Sequence, residues 1–338
     1  MRAKLSSSLG TDVFPVKKRV LVAGGAGFLG SHLCERLVKH QHEVLCVDNY
    51  VTGSLRNIDS LLGRPAFEAM RHDVTFPLYV EVDEIFNLAC PGSPVHYCRD
   101  PIQTTKTTVI GTMNMLGLAK RLRARMVQAS TCDVHDDSQL AEQVHDRALS
   151  GIYRNPSACY QNGNRCAETL CFDYSRQHGV SVRIARIFDA YGPRMHPNNR
   201  HLVSNFIMRA LNNEPLTIIG SGFQTRSLCY VEDVVEGLIR LMQQDDVDEP
   251  LTFASPVVLP VVELARLIIS LTGSRSRIEF RTTIQERSRR CPDAELAREA
   301  LGWSPKIQLE EGLSRTISHH DAWMSRFGEA RTKRGVAA

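Results

Sequence analysis

A tyrosine and an asparagine stand four positions apart in the stretch SACYQNGNRCAE, residues 157–168, as Tyr160 and Asn164. A tyrosine hydroxyl can exchange a proton with a substrate, but a pKa near 10 leaves little phenolate at pH 7. A lysine at the i+4 position would share the helical face and, about 4 Å away, lower that pKa by about three units. Asn164 carries no charge. The pattern indicates either a proton-transfer site without its usual cation or an ordinary helix tyrosine.

A glycine-rich turn near the N-terminus indicates a nucleotide site. The apolar run RVLVA precedes GGAGFLG, residues 24–30, which has the pattern GxxGxxG and leads into a helical segment. Glycines there let a pyrophosphate approach the free N–H groups of the helix N-terminus. Asp48 ends the next predicted strand and would accept hydrogen bonds from the adenosine ribose, so we predict NAD as cofactor rather than NADP. The alternative is a glycine turn that only packs a helix on a strand.

The glycine turn and Tyr160 must be positioned by a folded scaffold, and the sequence predicts a scaffold of alternating strands and helices. Helical segments are predicted over about 101–123 and from Ser157 onward. Such alternation over the first 190 residues predicts an α/β fold with a Rossmann-type doubly wound parallel sheet. The apolar runs read as strands lie at 19–23, 43–48, 84–89, 125–131 and 181–188.

The sequence pattern changes after YGPRM, residues 191–195, where short helical segments are separated by glycine or proline. This change predicts a smaller C-terminal substrate lobe that closes over the carboxyl edge of the sheet. The predicted division is a flexible N-terminal tail at 1–17, an NAD-binding domain at 18–190 that includes helix 157–179, a substrate lobe at 191–328 and a flexible C-terminal tail at 329–338.

Composition and charge exclude several classes of protein. A net charge of +4, dispersed along the chain, does not favour a nucleic-acid partner. The ten cysteines form neither a CxxC pair nor a Cys/His ligand spacing, so we expect no metal site and a reduced, cytoplasmic protein. No run approaches the roughly 18 apolar residues of a membrane helix, so we expect no membrane association.

The glycine spacing, the order of elements and the later tyrosine together resemble the extended short-chain dehydrogenase/reductase family, and within it the UDP-glucuronate decarboxylase (UDP-xylose synthase) branch. The resemblance extends from about residue 18 to 320. The stretches that carry it are GGAGFLGSHL, VDNYVTGSLRN, HDVTFPLYVEVDEIFNLACPGSP, IGTMNMLGLAKR, ARIFDAYGPRMHPN, VSNFIMRAL and GSGFQTRS.

The resemblance implies a reaction and partners. NAD would oxidise the sugar C4 hydroxyl of UDP-glucuronate, the resulting 4-keto acid would lose its C6 carboxylate as CO2, and returned hydride would leave UDP-xylose. The resemblance also implies that the C-terminal lobe is mainly nucleotide-sugar-binding. A homodimer would form through the two long helices near residues 101–123 and 157–179.

The resemblance further implies roles for individual residues. Tyr160 matches the catalytic tyrosine, Thr131 its hydroxyl partner and Asp133 the acid at the decarboxylation step. Arg226 matches the active-site arginine, although it could equally be a salt-bridge partner, and Asp73 could equally be a surface turn residue. The matching cofactor positions are Gly24, Gly27, Phe28, Leu29, Gly30, Asp48, Asn49, Thr52, Gly53, Asp73, Val74, Leu88 and Asn164. The matching substrate positions are Tyr79, Lys106, Asn114, Lys120, Arg121, Tyr174, Asp189 and Arg226.

The chain departs from the family pattern around the chemistry. Asn164 stands for the catalytic lysine, Cys132 for a serine and Asp133 for a glutamate. Asp189 stands for an asparagine that contacts the diphosphate, and Ile219 for a tyrosine before GSG. Arg165 lies one residue too far round the helix to replace the lysine simply. The basic end at Arg289-Arg290 aligns with a family segment that approaches the nucleotide.

Three functions stay open on the sequence. The first is a UDP-glucuronate decarboxylase slowed by about 10²–10⁴, the scale of a general acid/base contribution, or compensated elsewhere. The second is an NAD-dependent sugar-nucleotide epimerase or dehydratase of other specificity. The third is a catalytically silent NAD-binding paralogue with a regulatory or scaffold role.

Overall fold

The computed structural model of the protein describes residues 17–135, 155–282 and 294–327. The two predicted tails, apart from Lys17, and the Arg289-Arg290 segment lie outside these ranges and stay predictions. Within the described ranges the protein has an α/β fold with one central parallel sheet. This confirms the fold class predicted from the alternating apolar runs.

Seven strands form the central sheet. They are β1 (Arg19–Ala23), β2 (Glu43–Asp48), β3 (Phe67–Arg71), β4 (Glu84–Asn87), β5 (Arg125–Thr131), β6 (Val182–Ile187) and β11 (Leu251–Phe253). Their spatial order is β11-β6-β5-β4-β1-β2-β3, and every neighbouring pair is parallel. The strand order reverses at β1, which opens a crevice at the carboxyl ends of β1 and β4.

The inner strands are buried on both faces, which explains their continuous apolar runs. In β1, four of the five residues are buried. Val22 lies opposite Cys46 of β2 on one side and Phe86 of β4 on the other. A strand covered on both faces cannot alternate apolar with polar residues, because each face must pack against a layer of helices.

The described ranges contain nine α-helices. They are α1 (Phe28–Lys39), α2 (Pro94–Arg99), α3 (Pro101–Leu122), α4 (Ala158–His178), α5 (Leu202–Leu211), α6 (Val231–Gln243), α7 (Val261–Thr272), α8 (Glu295–Leu301) and α9 (Leu309–Phe327). Helix α3 begins where the Asp100 carboxylate accepts from the Gln103 N–H at 2.9 Å, and Pro101 follows as its first residue. Helix α4 ends at Gly179, whose φ of +65° suits a glycine.

The two faces of the sheet have separate cores. Leu21 of β1 points into one core with Met115 of α3 and Cys171 of α4. Val22 points into the other, with Leu33 of α1 and Leu238 of α6. Helices α3 and α4 therefore form one outer layer, and α1 and α6 belong to the opposite one.

The C-terminal part of the chain adds three small strand pairs and the last strand of the central sheet. The pairs join β7 (Ala190–Tyr191) to β10 (Cys229–Tyr230), β9 (Thr225–Ser227) to β12 (Val258–Pro260), and β8 (Leu216–Ile219) to β13 (Ile278–Arg281). Strand β11 pairs with β6, so the lobe predicted for 191–328 also completes the sheet. Across the described helices, none combines the length and apolar composition that crossing a bilayer requires.

Candidate functional site

A cavity of about 880 Å³ lies at the carboxyl ends of the central strands. It is bounded by the glycine turn, by the start of α4 and by the far end of α9. Of the predicted site residues, the cavity lining includes Gly24, Gly27, Phe28, Leu29, Gly30, Asp48, Asn49, Thr52, Val74, Leu88, Thr131, Asp133, Tyr160, Asn164 and Asp189. Most of the predicted cofactor and catalytic positions are therefore brought together.

The glycine turn has no room for side chains at two positions. Gly24 has φ +75°, and a Cβ there would stand 2.9 Å from the Leu88 carbonyl. A Cβ on Gly30 would stand 2.1 Å from the Gly24 oxygen. Gly27 precedes α1 without a side-chain cap, so the first N–H groups of the helix have no side-chain acceptor from their N-cap. This turn fits the pyrophosphate of a dinucleotide.

Asp48 is fixed at the end of β2 by two backbone donors. Its carboxylate accepts from the Ala26 N–H at 3.0 Å and from the Tyr50 N–H at 2.8 Å. Burial raises the pKa of Asp48, and these two hydrogen bonds oppose the shift. A Cβ on Gly53 would stand 2.7 Å from the carboxylate, so Gly53 leaves the space beside Asp48 open. An acceptor held this way suits the ribose hydroxyls of a dinucleotide.

Asp73 lies next to the cavity without lining it. Its carboxylate accepts from the Asn49 side chain at 3.1 Å and from the Thr75 backbone and hydroxyl at 2.9 and 2.8 Å. Burial works to raise the pKa of Asp73, but the bonds from Thr75 and Asn49 outweigh it and the pKa is lowered. Asp73 therefore orients Asn49, which does line the cavity.

Tyr160 lies near the start of α4, with its hydroxyl hydrogen-bonded to Thr131 at the end of β5. Its ring stacks on that of Tyr97 in α2, with centroids 5.2 Å apart and planes inclined by 15°. Burial raises the pKa of Tyr160 well above its ordinary value, Cys90 and Asp133 raise it further, and the Thr131 bond opposes them. The hydroxyl is placed for proton transfer but strongly favours its protonated form.

Asn164 lies one turn after Tyr160 and is 2% exposed. Its amide donates to the Tyr160 backbone carbonyl at 2.8 Å and to the Cys90 sulfur at 3.9 Å. Arg165 points elsewhere, donating to the Val134 carbonyl and to the Asn162 side chain, each at 2.9 Å. These two hydrogen bonds hold the Arg165 guanidinium against partners other than Tyr160.

Asp189 and Arg226 form an ion pair beside the cavity. The Arg226 Nε lies 3.7 Å from the Asp189 Oδ2, and each side chain is 22% exposed. The acid that stands for a diphosphate-contacting asparagine is thus matched by a cation. Ile219, at the end of β8, is 63% exposed and presents no aromatic ring.

The other predicted substrate residues lie outside the cavity lining, and their role stays a prediction. Tyr79 is 81% exposed, and Lys106 and Lys120 are exposed on α3. Arg121 pairs with Glu81. Asn114 donates to the Val74 carbonyl at 2.8 Å, and Tyr174 meets His178 edge to face.

Several cavity residues were not assigned a role from the sequence. They are Cys90, His96, Tyr97, Arg194, His196, His319, His320, Trp323 and Arg326. Arg194 pairs with Glu35 of α1, and the His32 ring donates through Nε2 to the carbonyl oxygen of the neighbouring Pro193 at 2.9 Å. These residues come together by packing between helices distant in sequence. Among the described residues, no group of three or more His, Cys, Asp or Glu could hold a metal ion.

The chain is similar to known proteins along most of its length. Residues 20–253 match the NAD dependent epimerase/dehydratase family. Over 304 residues the chain is 48% identical to UDP-glucuronic acid decarboxylase 1 of Danio rerio. The aligned region covers 90% of this chain and 72% of that protein. It is 48% identical over 302 residues to UDP-glucuronic acid decarboxylase 6 of Arabidopsis thaliana, spanning 89% and 88% of the two chains. The crystal structure of the Bordetella bronchiseptica enzyme WbmF in complex with NADH superimposes with a TM-score of 0.79 at 25% identity, over 94% of this chain and 96% of that one.

Proposed function

Because the chain belongs to the NAD dependent epimerase/dehydratase family, we propose that it binds NAD and decarboxylates a nucleotide-linked uronic acid, UDP-glucuronate. The observation that carries the proposal is the Thr131–Tyr160 hydrogen bond, which lies in the same cavity as the glycine turn and Asp48. The similarity to UDP-glucuronic acid decarboxylases supports the choice of substrate.

The residues of the cavity fit NAD. The glycine turn and the start of α1 would hold the pyrophosphate, and Asp48 would accept from the adenosine ribose. Leu88 and Val74 provide apolar walls in the same lining. Bound there, NAD would supply the chemistry of accepting a hydride and returning it.

The chain's own residues would handle the proton and the anionic groups. The phenolate form of Tyr160 would take the proton of the sugar C4 hydroxyl, and Thr131 would orient the Tyr160 oxygen through their shared hydrogen bond. Asp133 lies beside Thr131, since its N–H donates to the Thr131 Oγ1 at 3.2 Å, and would face the reacting carboxylate. Arg226, held beside Asp189, would contribute positive charge toward the nucleotide sugar.

A second candidate is a catalytically silent NAD-binding paralogue. The observation that favours it is the raised pKa of Tyr160, together with the Asn164 amide bonded to its own helix. Under this alternative the cavity still binds NAD, but the tyrosine does not accept a proton at neutral pH.

A substrate panel distinguishes the two. Purified protein with NAD is mixed with nucleotide-linked uronic acids and hexoses, while NADH absorbance and CO2 release are followed. CO2 from UDP-glucuronate, lost in Tyr160→Phe, supports the decarboxylase. NAD binding without turnover of any substrate supports the silent paralogue. NADH formation or isomerisation of a hexose nucleotide without CO2 points to an epimerase or dehydratase.

We also propose that the protein is a cytoplasmic homodimer. Helix α3 exposes Ile102, Ile110 and Met113, and the adjacent α4 exposes Phe172, by 69%, 38%, 44% and 44%. At 3.6 residues per turn the three α3 side chains lie within one face, and such an exposed apolar face is typical of an interface. The nine cysteines that the structure describes are unpaired, which fits a reducing compartment.

A further inference from the structure

Two thiols from different helices share one backbone acceptor beside the tyrosine pair. The Cys98 sulfur of α2 lies 4.0 Å from the Pro156 carbonyl oxygen, and the Cys159 sulfur of α4 lies 3.7 Å from the same atom. Cys159 also approaches the Tyr97 carbonyl, at 3.5 Å. The side chain of Cys159 therefore lies against the backbone that leads directly into Cys98.

The two thiols differ in exposure. Cys98 is exposed and Cys159 is partly exposed. Burial raises the pKa of the Cys159 thiol, and its neighbour Cys98 raises it further. Because Cys98 is the more exposed of the two thiols, it meets an oxidant in solution first.

The thiols adjoin the site in sequence and in space. Cys98 follows Tyr97 and Cys159 precedes Tyr160, and the two tyrosine rings stack at 5.2 Å. Both tyrosines line the cavity. A bond between the sulfur atoms would therefore tie the helix of Tyr97 to the helix of Tyr160.

We propose that Cys98 and Cys159 are a redox modification site that forms a reversible disulfide on exposure to a peroxide. The Cys98 thiolate attacks the peroxide, so an S–O bond forms, the O–O bond breaks and hydroxide leaves. The Cys159 thiolate then attacks the Cys98 sulfur, so an S–S bond forms and the S–O bond breaks, releasing a second hydroxide. The two thiol protons convert both hydroxides to water. Two sulfurs are oxidised by one electron each and the peroxide gains both electrons.

Closing the bond requires rotation of the two side chains that brings the sulfur atoms to about 2.05 Å, the length of an S–S bond. Thiol reductants reverse the reaction by attack on the same bond.

The test uses the full chain treated with hydrogen peroxide, with intact mass and peptide mapping as readouts. The parent should lose about 2 Da, yield a peptide pair joined through Cys98 and Cys159, and regain its mass in dithiothreitol. Neither Cys98→Ser nor Cys159→Ser should lose about 2 Da under the same dose. Cys159→Ser leaves the Cys98 sulfenic acid without its resolving thiol, so that variant should instead gain about 16 Da or more at Cys98. Cys166→Ser is the matched control, because Cys166 is exposed on the same helix, and it should behave as the parent does.

Two outcomes overturn the proposal. One is a parent chain that keeps both thiols free, or oxidises Cys98 only to a sulfinic acid. The other is a 2 Da loss of equal extent in the parent and in Cys98→Ser, which would place the disulfide elsewhere. Circular dichroism of each variant checks that it is folded, and Cys159→Ala replaces Cys159→Ser if the serine variant is not. Neither readout depends on turnover, so the result is independent of the proposed reaction.

Discussion

The Asn164 amide donates to the backbone carbonyl of Tyr160, so the position one turn after the tyrosine carries no charge toward its hydroxyl. Burial, Cys90, Asp133 and Cys132 raise the pKa of that hydroxyl, and the Thr131 hydrogen bond opposes them. At the residue scale, Tyr160 is held beside Thr131 in surroundings that favour the protonated form of its hydroxyl.

We predict that Asn164→Lys raises UDP-glucuronate decarboxylation by about 10²–10⁴, because an ammonium near Tyr160 stabilises the phenolate. The pH profile checks the cause. In the parent, CO2 release should rise with pH toward the raised pKa of Tyr160, and in the variant the rise should move to lower pH. Asn164→Gln, which adds length without charge, should give neither effect. A lysine variant that binds NAD yet gains no activity would count against the decarboxylase.

The sequence identified those site residues whose role depends on local spacing. The glycine turn, Asp48 and Tyr160 lie in motifs a few residues long, and the structure places them around one cavity. Tyr97 and His320 reach that cavity only because α2 and α9 pack there, and no spacing in the chain records that packing. The family resemblance is confirmed by the comparisons, while the predicted substrate positions on α3 remain to be tested.

Helix α4, which carries Tyr160, is anchored to the sheet by a buried ion pair. Arg186 of β6 binds Glu168 through two nitrogens, at 2.9 and 2.6 Å, and the Ser130 hydroxyl of β5 donates to Glu168 at 2.6 Å. Glu168 is 6% exposed. These bonds fix the helix relative to the strand end that holds Thr131.

We predict that Arg186→Met lowers the free energy of unfolding by about 3–5 kcal/mol, because it leaves the Glu168 carboxylate buried without its cation. Urea unfolding followed by circular dichroism measures the loss. Asp173→Asn is the control on the same helix, since it removes the solvent-exposed pair with Arg176 and should cost less than about 1 kcal/mol. Equal losses in the two variants would contradict the anchoring role.

At the element scale, the strands of the central sheet were predictable from the sequence where their apolar runs were long. Strands β1, β2 and β5 lie where the runs predicted them, and the run at 181–188 became β6. Strand β11 was missed because LTF, three residues long, carries too little pattern to separate from a loop. Its pairing with β6 is a tertiary contact between segments far apart in the chain, which no local pattern records.

At the scale of the whole molecule, two buried histidines link stability to pH. Burial lowers the pKa of His320 in α9 to about 4, with His319 and His196 lowering it further and the Thr316 carbonyl opposing them. Burial and Arg194 likewise lower the pKa of His32 in α1 to about 4. Below pH 6.5 the unfolded chain binds protons at these positions that the folded chain does not bind until about pH 4.

We therefore predict that the free energy of unfolding falls as pH drops from about 6.5 to about 4, with His320 accounting for up to roughly 3 kcal/mol. His320→Phe should flatten that dependence. The buried Nε2 of His320 has no hydrogen-bond partner among the described residues, so His320→Phe should lose little stability at neutral pH. His40→Asn, which changes an exposed histidine after α1, should leave the slope unaltered. Urea titrations at several pH values give the comparison, and an unchanged slope in His320→Phe would refute it.

If the protein is a dimer through α3, two surface substitutions on that helix should convert it to a monomer. Ile110→Glu together with Met113→Glu should give a monomer by light scattering, because like charges would meet across the α3 faces. Val257→Glu, at a residue 59% exposed outside α3 and α4, should leave the assembly unchanged. A parent chain that is itself monomeric at micromolar concentration would rule out the dimer.

The pairing of β11 with β6 has a consequence for synthesis of the chain. While the ribosome is still adding residues before Leu251, β6 ends the sheet with a row of unpaired N–H and C=O groups. A nascent chain at that stage can recruit a strand from another chain, so it is the form most exposed to aggregation and most dependent on chaperones. A premature stop between Ile187 and Leu251 would make that state permanent and release a chain whose sheet keeps an unpaired edge.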